Sequence, residues 1–140
     1  MSYLIDTCVI SELRKPAPQE SVLAWLQACD EEDLFISSLS LGELCFGISI
    51  LPEGKKKNDL SFWFNELIEA FLERILPVTE SVAIIWGNLR AQAQKSGSVM
   101  PVIDGLLAAT AEAHRMVLVT RNIDDIQAAG ISILNPWLQI

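Results

Sequence analysis

Three acidic residues stand among apolar neighbours at widely separated points of this chain. They are Asp6 in Leu4-Ile5-Asp6-Thr7, Glu43 in Leu41-Gly42-Glu43-Leu44, and Asp104 in Val102-Ile103-Asp104-Gly105-Leu106. An ionised carboxylate in apolar surroundings is unstable unless a cation or hydrogen-bond donors compensate its charge. A hard divalent metal ion, which prefers oxygen ligands, meets that need for all three acids. The pattern therefore indicates a shared metal site.

Each acid also has a simpler interpretation. Asp6 precedes a helical turn, where Asp is a preferred N-cap. Glu43 falls inside a helical segment, where Glu has good propensity, although Leu39 and Phe46 on the same face place it at the border of the core. Asp104 falls near a helix N-terminus, an interaction worth about 0.3–1 kcal/mol, which is less than the several kcal/mol that burying an ion costs. The metal interpretation is therefore strongest at Asp104.

Alternating strands and helices carry these acids. Apolar runs predict short strands at 3–5, 34–36, 75–78, 116–119 and 131–134. Helical periodicity is clearest over 56–74 and 102–114, with a Thr79 cap before a further helix. Such alternation is typical of an α/β fold whose parallel sheet is covered on both faces. Asp6 then lies at the carboxyl end of the first strand, where α/β proteins commonly place their functional groups.

Composition bounds the class of protein. With 140 residues and 51% hydrophobic content, the chain is predicted to form a single domain over 1–140. It has no apolar run long enough for a membrane span and no signal-peptide pattern, so a cytoplasmic protein without membrane contact is expected. Cys8, Cys29 and Cys45 fit neither a disulfide framework nor zinc spacing. The net charge of −8 favours a basic protein partner as much as a nucleic-acid substrate.

Five segments, taken in order, resemble the PIN-domain ribonucleases, and among them the VapC- and FitB-type toxins of type II toxin–antitoxin pairs. They are Tyr3-Leu4-Ile5-Asp6-Thr7 with Ile10-Ser11-Glu12, Ser40-Leu41-Gly42-Glu43-Leu44 with Gly47, the run from Asp104 to Ala111, Val119-Thr120-Arg121-Asn122, and Asn135-Pro136-Trp137. The resemblance implies a PIN-like α/β/α sandwich with a central parallel sheet of four to five strands. It also implies three or four acids that bind Mg²⁺ or Mn²⁺ at the carboxyl edge of that sheet.

By this resemblance, Asp6, Glu43 and Asp104 are the first three metal ligands. The fourth acid is expected directly after Thr120-Arg121, where this chain has Asn122, while Asp124 and Asp125 follow within one helical turn. All three stay candidates, because Asn can also offer a carbonyl oxygen to a hard cation. Cys8 replaces an Asn that is common in the family. A cysteine hydrolase with Cys8 as nucleophile and His114 as base is an alternative.

The remaining expectations concern substrate and partners. Arg121 and Arg90 are candidate cations for RNA phosphates or for the scaffold, and Lys55-Lys56-Lys57 is the only dense basic run. The resemblance implies a homodimer and a cognate antitoxin that is small, basic and DNA-binding. The face built by Trp63, Leu67 and Phe71 is predicted to contact either the antitoxin or the second copy. The leading hypothesis is a metal-dependent endoribonuclease toxin. The alternatives are a non-catalytic PIN-like binding module, and a DNA nuclease or phosphatase that uses the same acids.

Overall fold

The computed structural model describes residues 1–138, apart from the side chains of Asp125 and Ala128. Its strands are β1 (Tyr3–Ile5), β2 (Leu34–Ser37), β3 (Ile75–Leu76), β4 (Val117–Val119) and β5 (Ile133–Leu134). Its helices are α1 (Thr7–Glu12), α2 (Glu20–Ala28), α3 (Ser38–Ser49), α4 (Lys55–Ala70), α5 (Glu80–Lys95), α6 (Val102–His114) and α7 (Ile123–Ile126). Single 3-10 turns cover Glu31–Asp33, Leu72–Arg74, Gln127–Ala129 and Pro136–Leu138.

The five strands form one parallel sheet in the order β3-β2-β1-β4-β5. β1 is central, because Tyr3 is in register with Leu34 on one side and with Val117 on the other. The chain leaves β1 toward β2 and leaves β4 toward β5, so the strand order reverses between β1 and β4. In open α/β sheets the crevice outside the carboxyl ends at such a point is the usual ligand site. The expectation of four to five parallel strands is confirmed.

Alternate residues of β1 enter two separate cores, because successive side chains of a strand point to opposite faces. Leu4 packs with Val82 and Leu89 of α5 and with Leu107 of α6. Ile5 packs with residues of α1 and α2 on the other face, and part of α4 covers that core. Helices on both faces account for the nearly continuous apolar character of β1 and β4. The arrangement is an α/β/α sandwich.

α6 runs opposite to β4, because only Arg115 and Met116 separate the two elements. Arg115 adopts φ 55°, ψ 44°, the left-handed conformation that commonly ends a helix. The N-terminus of α6 therefore lies at the carboxyl edge of the sheet and His114 at the opposite edge. A helix of 13 residues is about 20 Å long, so the two ends of α6 are far apart.

Most predicted element boundaries agree with the observed ones within two residues, and the helix at 102–114 agrees at both ends. The exception is the helix predicted over 56–74, which ends at Ala70. The Arg74 guanidinium explains the early end: its Nη1 donates to the Leu34 carbonyl and its Nη2 to the Ala70 carbonyl, each at 2.7 Å. These bonds join the end of α4 to the start of β2. Over residues 1–138, no helix is long and apolar enough to cross a membrane.

Candidate active site

Asp6 lies at the switch point between β1 and β4 and is only 5% exposed. Its backbone N–H donates to the Val119 carbonyl at 2.9 Å, which ties it to the end of β4. One carboxylate oxygen accepts from the Thr7 N–H at 2.6 Å, and the other accepts from the Thr120 hydroxyl at 2.7 Å. The N-cap interpretation of Asp6 is therefore confirmed. It does not account for the second oxygen, which reaches across to the neighbouring strand.

Glu43 approaches the same place from α3. The Thr7 hydroxyl donates to a Glu43 carboxylate oxygen at 2.7 Å, so Thr7 contacts both acids, one through its backbone and one through its side chain. Glu43 is exposed rather than at the border of the core, and Phe46, expected on an inward face, is 67% exposed. That expectation is wrong because α3 is apolar around most of its circumference, whereas only one side of it packs on the sheet.

Asp104 occupies the first turn of α6 and is half-buried. The N-terminus of this helix lies at the carboxyl edge of the sheet, so Asp104 is on the same side of the molecule as Asp6. Ile103 lines a small cavity of about 460 Å³ together with Glu43 and Phe46. The fold thus brings the segment that carries Asp104 against the segment that carries Glu43, although 60 residues separate them in sequence.

Cys8 belongs to this cluster as a hydrogen-bond donor and not as a nucleophile. Its thiol donates to Asp6 at 3.5 Å and lies 3.8 Å from the Thr120 hydroxyl. Burial, and then the adjacent Asp6 charge, raise the pKa of the Cys8 thiol to about 11, which leaves it protonated at neutral pH. His114 lies at the other edge of the sheet. The pairing of Cys8 with His114 is therefore contradicted by both distance and charge.

The segment after β4 contains the candidates for a fourth ligand. Asn122 donates its backbone N–H to the Thr120 hydroxyl at 3.1 Å and is exposed, as is Asp124. The side chain of Asp125 lies outside the described part of the structure. All three positions therefore stay predictions.

The two arginines predicted to contact RNA are both stacked on tryptophan rings. The Arg121 guanidinium carbon lies 5.0 Å from the ring centroid of Trp137, and that of Arg90 lies 5.6 Å from the centroid of Trp86. Such cation–π contacts stabilise the scaffold. Both arginines are nevertheless exposed, so their polar edges are accessible.

The donor set of the cluster suits a hard divalent cation. Carboxylate, hydroxyl and amide oxygens predominate, as Mg²⁺ and Mn²⁺ prefer. None of the three ion pairs among the described residues involves Asp6, and the hydrogen bonds to its buried carboxylate come from neutral donors, the Thr7 N–H, the Cys8 thiol and the Thr120 hydroxyl. No group of three His, Cys, Asp or Glu side chains in the described region is close enough to hold a metal ion. Asp6 and Glu43, bridged by Thr7, are the nearest approach to a ligand set.

Sequence reasoning missed two residues of this region. Thr120 was predicted as the end of a strand and as part of a family motif, with no contact to Asp6, yet its hydroxyl donates to that carboxylate. Its position directly after β4, next to β1, is the signal that could have indicated this contact. Glu12 is 4% exposed and accepts from the Gln19 N–H at 2.9 Å and from Lys15 at 2.9 Å. The hydrogen bond with Lys15, and then that with Gln19, lower the pKa of Glu12 below its ordinary value of 4.5. Glu12 belongs to the first motif of the family resemblance, but its burial and its two hydrogen bonds were not predicted.

The fold and the cluster at its switch point define a known class. The PIN domain model matches residues 3–131, and the chain belongs to the PIN domain family. It is similar to Toxin FitB of Neisseria gonorrhoeae, with 39% identity over 135 residues that cover 96% of this chain and 97% of that protein. It is equally similar to VapC ribonuclease Y4jK of Sinorhizobium fredii, with 39% identity over 135 residues and 96% of each protein covered.

Solved structures agree with these relatives. FitAB bound to an IR36 DNA fragment superposes with a TM-score of 0.94 at 38% identity, covering 99% of this chain and 97% of that one. VapBC2 from Rickettsia felis, bound to a DNA fragment from its promoter, superposes with a TM-score of 0.75 at 26% identity, covering 96% and 98%. The resemblance inferred from the motifs and the sandwich fold that it implied are both confirmed.

Proposed function

We propose that this chain is a metal-dependent endoribonuclease that acts as the toxin of a type II toxin–antitoxin pair. The observation that carries the proposal is the contact between Asp6 and Glu43 through Thr7 at the carboxyl edge of a PIN-domain sheet. The names of the relatives, a VapC ribonuclease and a FitB toxin, support the same activity.

The side chains of the cluster have distinct tasks in this proposal. Asp6, Glu43 and Asp104 would hold the cation, Mg²⁺ or Mn²⁺; Thr120 and Thr7 fix the orientation of two of these carboxylates. A bound divalent ion supplies Lewis acidity toward water and toward the scissile phosphate. The low exposure of Asp6 limits competing solvent, which strengthens every electrostatic contact at this point. No side chain of the cluster attacks the phosphate, in keeping with the protonated state of Cys8.

Replacement of single carboxylates by isosteric amides tests the activity. Asp6→Asn and Asp104→Asn should each abolish RNA cleavage and growth arrest in a bacterial host, while thermal unfolding shows an intact fold. Asp30→Asn, an exposed acid before β2 at the opposite edge, is the matched control and should retain both. Growth arrest by Asp104→Asn as strong as that of the parent would remove Asp104 from the site. A titration with Mn²⁺ separates the nuclease from a non-catalytic binding module, since only the nuclease gains cleavage.

The fourth ligand position is assigned by a comparison of two variants. If Asn122→Ala loses cleavage and Asp125→Ala keeps it, the Asn122 carbonyl belongs to the site. The opposite pair of results would assign the position to Asp125. Glu43→Gln should weaken cleavage less than Asp104→Asn, because Glu43 is exposed and solvent can replace part of its contribution.

The cognate antitoxin is proposed to bind an apolar groove on the face opposite α5 and α6. The groove encloses about 420 Å³ and is lined mainly by side chains of α1, α2 and α4 and of the residues that end α1 and α4. Among them are Ile10, Leu13, Leu23, Leu26, Leu67 and Phe71. Leu67 and Phe71 were predicted to form the contact face. Both are half-buried against the core and line this groove, whereas Trp63 lies under Arg14. A small basic antitoxin also suits the net charge of −8.

Self-association is proposed through a different surface. Phe46 of α3 and Ile50 directly after α3 are each 67% exposed, and Val102 of α6 is 54% exposed. Phe46 borders the cavity beside Glu43, so a second copy at this surface would enclose the acidic cluster. A cytoplasmic location and a single domain over 1–140 complete the proposal.

A further inference from the structure

We propose that a basic groove beside the acidic cluster binds the phosphate backbone of RNA. The groove lies between the end of α1 with its following loop and the first turns of α4, and it encloses about 750 Å³. Its lining comprises Ser11, Arg14, Lys15, Pro16, Lys55, Lys56, Asp59 and Leu60. This inference rests on the proposed function for the class of ligand, since RNA is taken as the substrate.

Positive charge is concentrated in this groove to a degree that the composition does not suggest. The chain has 10 Lys and Arg against 18 Asp and Glu, yet four of those cations line this one groove, against Asp59 in the lining and Glu12, which pairs with Lys15. A local reversal of sign on an otherwise acidic protein attracts a polyanion to one place and repels it elsewhere. Arg14 and Lys15 are at least 40 residues from Lys55 and Lys56 in sequence, so only the tertiary fold assembles the set.

The four cations differ in their freedom to meet a phosphate. Lys56 is exposed and takes part in none of the three ion pairs of the described residues. Lys55 pairs with Asp59 at 3.0 Å, but their side chains are 88% and 57% exposed, and a pair this open is worth little and can exchange for a phosphate. Arg14 lies 5.3 Å from the ring of Trp63, and Lys15 is held by the buried Glu12. The groove thus has two fixed cations and two adaptable ones.

The groove is continuous with the acidic cluster. Ser11, Arg14 and Leu60 also line a neighbouring cavity of about 260 Å³ that contains Thr7 and Glu43. A backbone that lies along the lysines therefore leads toward the carboxylates. Lysine contacts to phosphates carry no sequence information, so the groove positions the substrate and the choice of cleavage site is made elsewhere.

The test measures binding without cleavage. The full chain, in EDTA, is titrated with a fluorescent 2′-O-methyl oligouridine of about twelve nucleotides at several salt concentrations. Each contacted phosphate of a single strand contributes a slope of about −0.7 in log K against log salt. Lys55→Gln/Lys56→Gln should therefore make the slope of log K against log salt less negative by about 1.4 and weaken binding roughly tenfold at low salt. The matched control, Lys95→Gln/Arg115→Gln, removes the same charge from exposed positions outside the groove and should change the slope far less.

Three results would overturn the inference. The first is an unchanged salt slope in the lysine variant. The second is an equal change of slope in both variants, which would indicate a general charge effect. The third is lysine-dependent binding of a polyglutamate peptide that is as tight as that of the oligonucleotide, which would make the groove a site for acidic protein segments. Because EDTA removes the divalent metal that the proposed cleavage requires, the result is separate from the nuclease proposal. If the chain binds the probe through its lysines but cuts no RNA, the groove inference stands and the nuclease proposal is wrong.

Discussion

At the scale of single residues, the cluster depends on hydroxyl groups as much as on acids. Thr120 donates to Asp6, and its oxygen also accepts the Asn122 N–H, so one hydroxyl holds both a carboxylate and the start of the α7 segment. The Thr7 hydroxyl likewise donates to a Glu43 carboxylate oxygen. Each of these bonds satisfies an acid that has no ion-pair partner among the described residues. The threonines therefore position the carboxylates.

Replacing Thr120 tests this role. Thr120→Val removes the donor to Asp6 and the acceptor for Asn122, so we expect a loss of about 1–3 kcal/mol in the free energy of unfolding. The proposed cleavage should fall with it, and more Mn²⁺ should be needed for half-maximal rate. Thr120→Ser keeps the hydroxyl and should restore the metal requirement. A Thr120→Val protein with the parental metal requirement would show that the hydroxyl does not position Asp6.

The protonation state of Cys8 yields a prediction about pH. Its pKa of about 11 leaves roughly a hundredfold less thiolate at pH 8 than an ordinary thiol has. Iodoacetamide should therefore alkylate Cys8 much more slowly than the exposed Cys45, and the alkylation rate of Cys8 should keep rising up to about pH 11. Peptide mass spectrometry after timed quenching distinguishes the two sites. Cys8→Ala should still cleave RNA; faster labelling of Cys8 than of Cys45 at pH 8 contradicts the assignment.

At the scale of elements, the close contact of α5 and α6 sets the position of Asp104. Gly105 lies directly beside Trp86: a Cβ built on this glycine would come within 3.1 Å of the indole and 3.0 Å of the Met100 sulfur. A glycine next to Asp104 thus lets α6 approach α5 closely enough to bury its central residues. The neighbouring acid is held in place by this packing.

Two glycine substitutions separate packing from helix propensity. Alanine in a helix interior is favoured over glycine by about 1 kcal/mol. Gly87 lies in α5, and nothing lies within 4 Å of a Cβ added there. Gly87→Ala should therefore raise the free energy of unfolding, measured in urea, by most of this roughly 1 kcal/mol. Gly105→Ala should gain nothing or lose up to about 2 kcal/mol, because overpacking against a rigid indole costs about 1–3 kcal/mol. Equal gains in both variants would show that Trp86 yields without strain.

At the scale of the whole molecule, three separate surfaces are proposed as contact sites. The apolar groove of α1, α2 and α4, the exposed side chains of α3 and α6, and the basic groove at the start of α4 lie on different parts of the sandwich. Because the three surfaces are separate, each proposed contact can be altered by substitution without changing the other two.

Light scattering tests the first two surfaces. The isolated chain should be dimeric, and Phe46→Ser/Ile50→Ser should shift it toward the monomer, because about two-thirds of each of these side chains is exposed. Addition of the protein encoded directly upstream should form a larger complex and suppress cleavage. Leu26→Ser, in the apolar groove, should weaken that complex without changing the dimer. A compact monomer that ignores the upstream protein and keeps full nuclease activity would contradict the toxin assignment and leave the nuclease standing.

The sequence by itself determined the strands, most helix boundaries, the family, and the three acids around which the site is proposed. Apolar periodicity and motif order are local properties, so they can be read along the chain. Tertiary structure alone decided that Thr120 supports Asp6, that Cys8 is separated from His114, that Glu43 and Phe46 face outward, and that Arg14 and Lys15 join Lys55 and Lys56. Each of these depends on strand order and on the side of a helix that packs, and those are set by long-range burial rather than by neighbours in sequence.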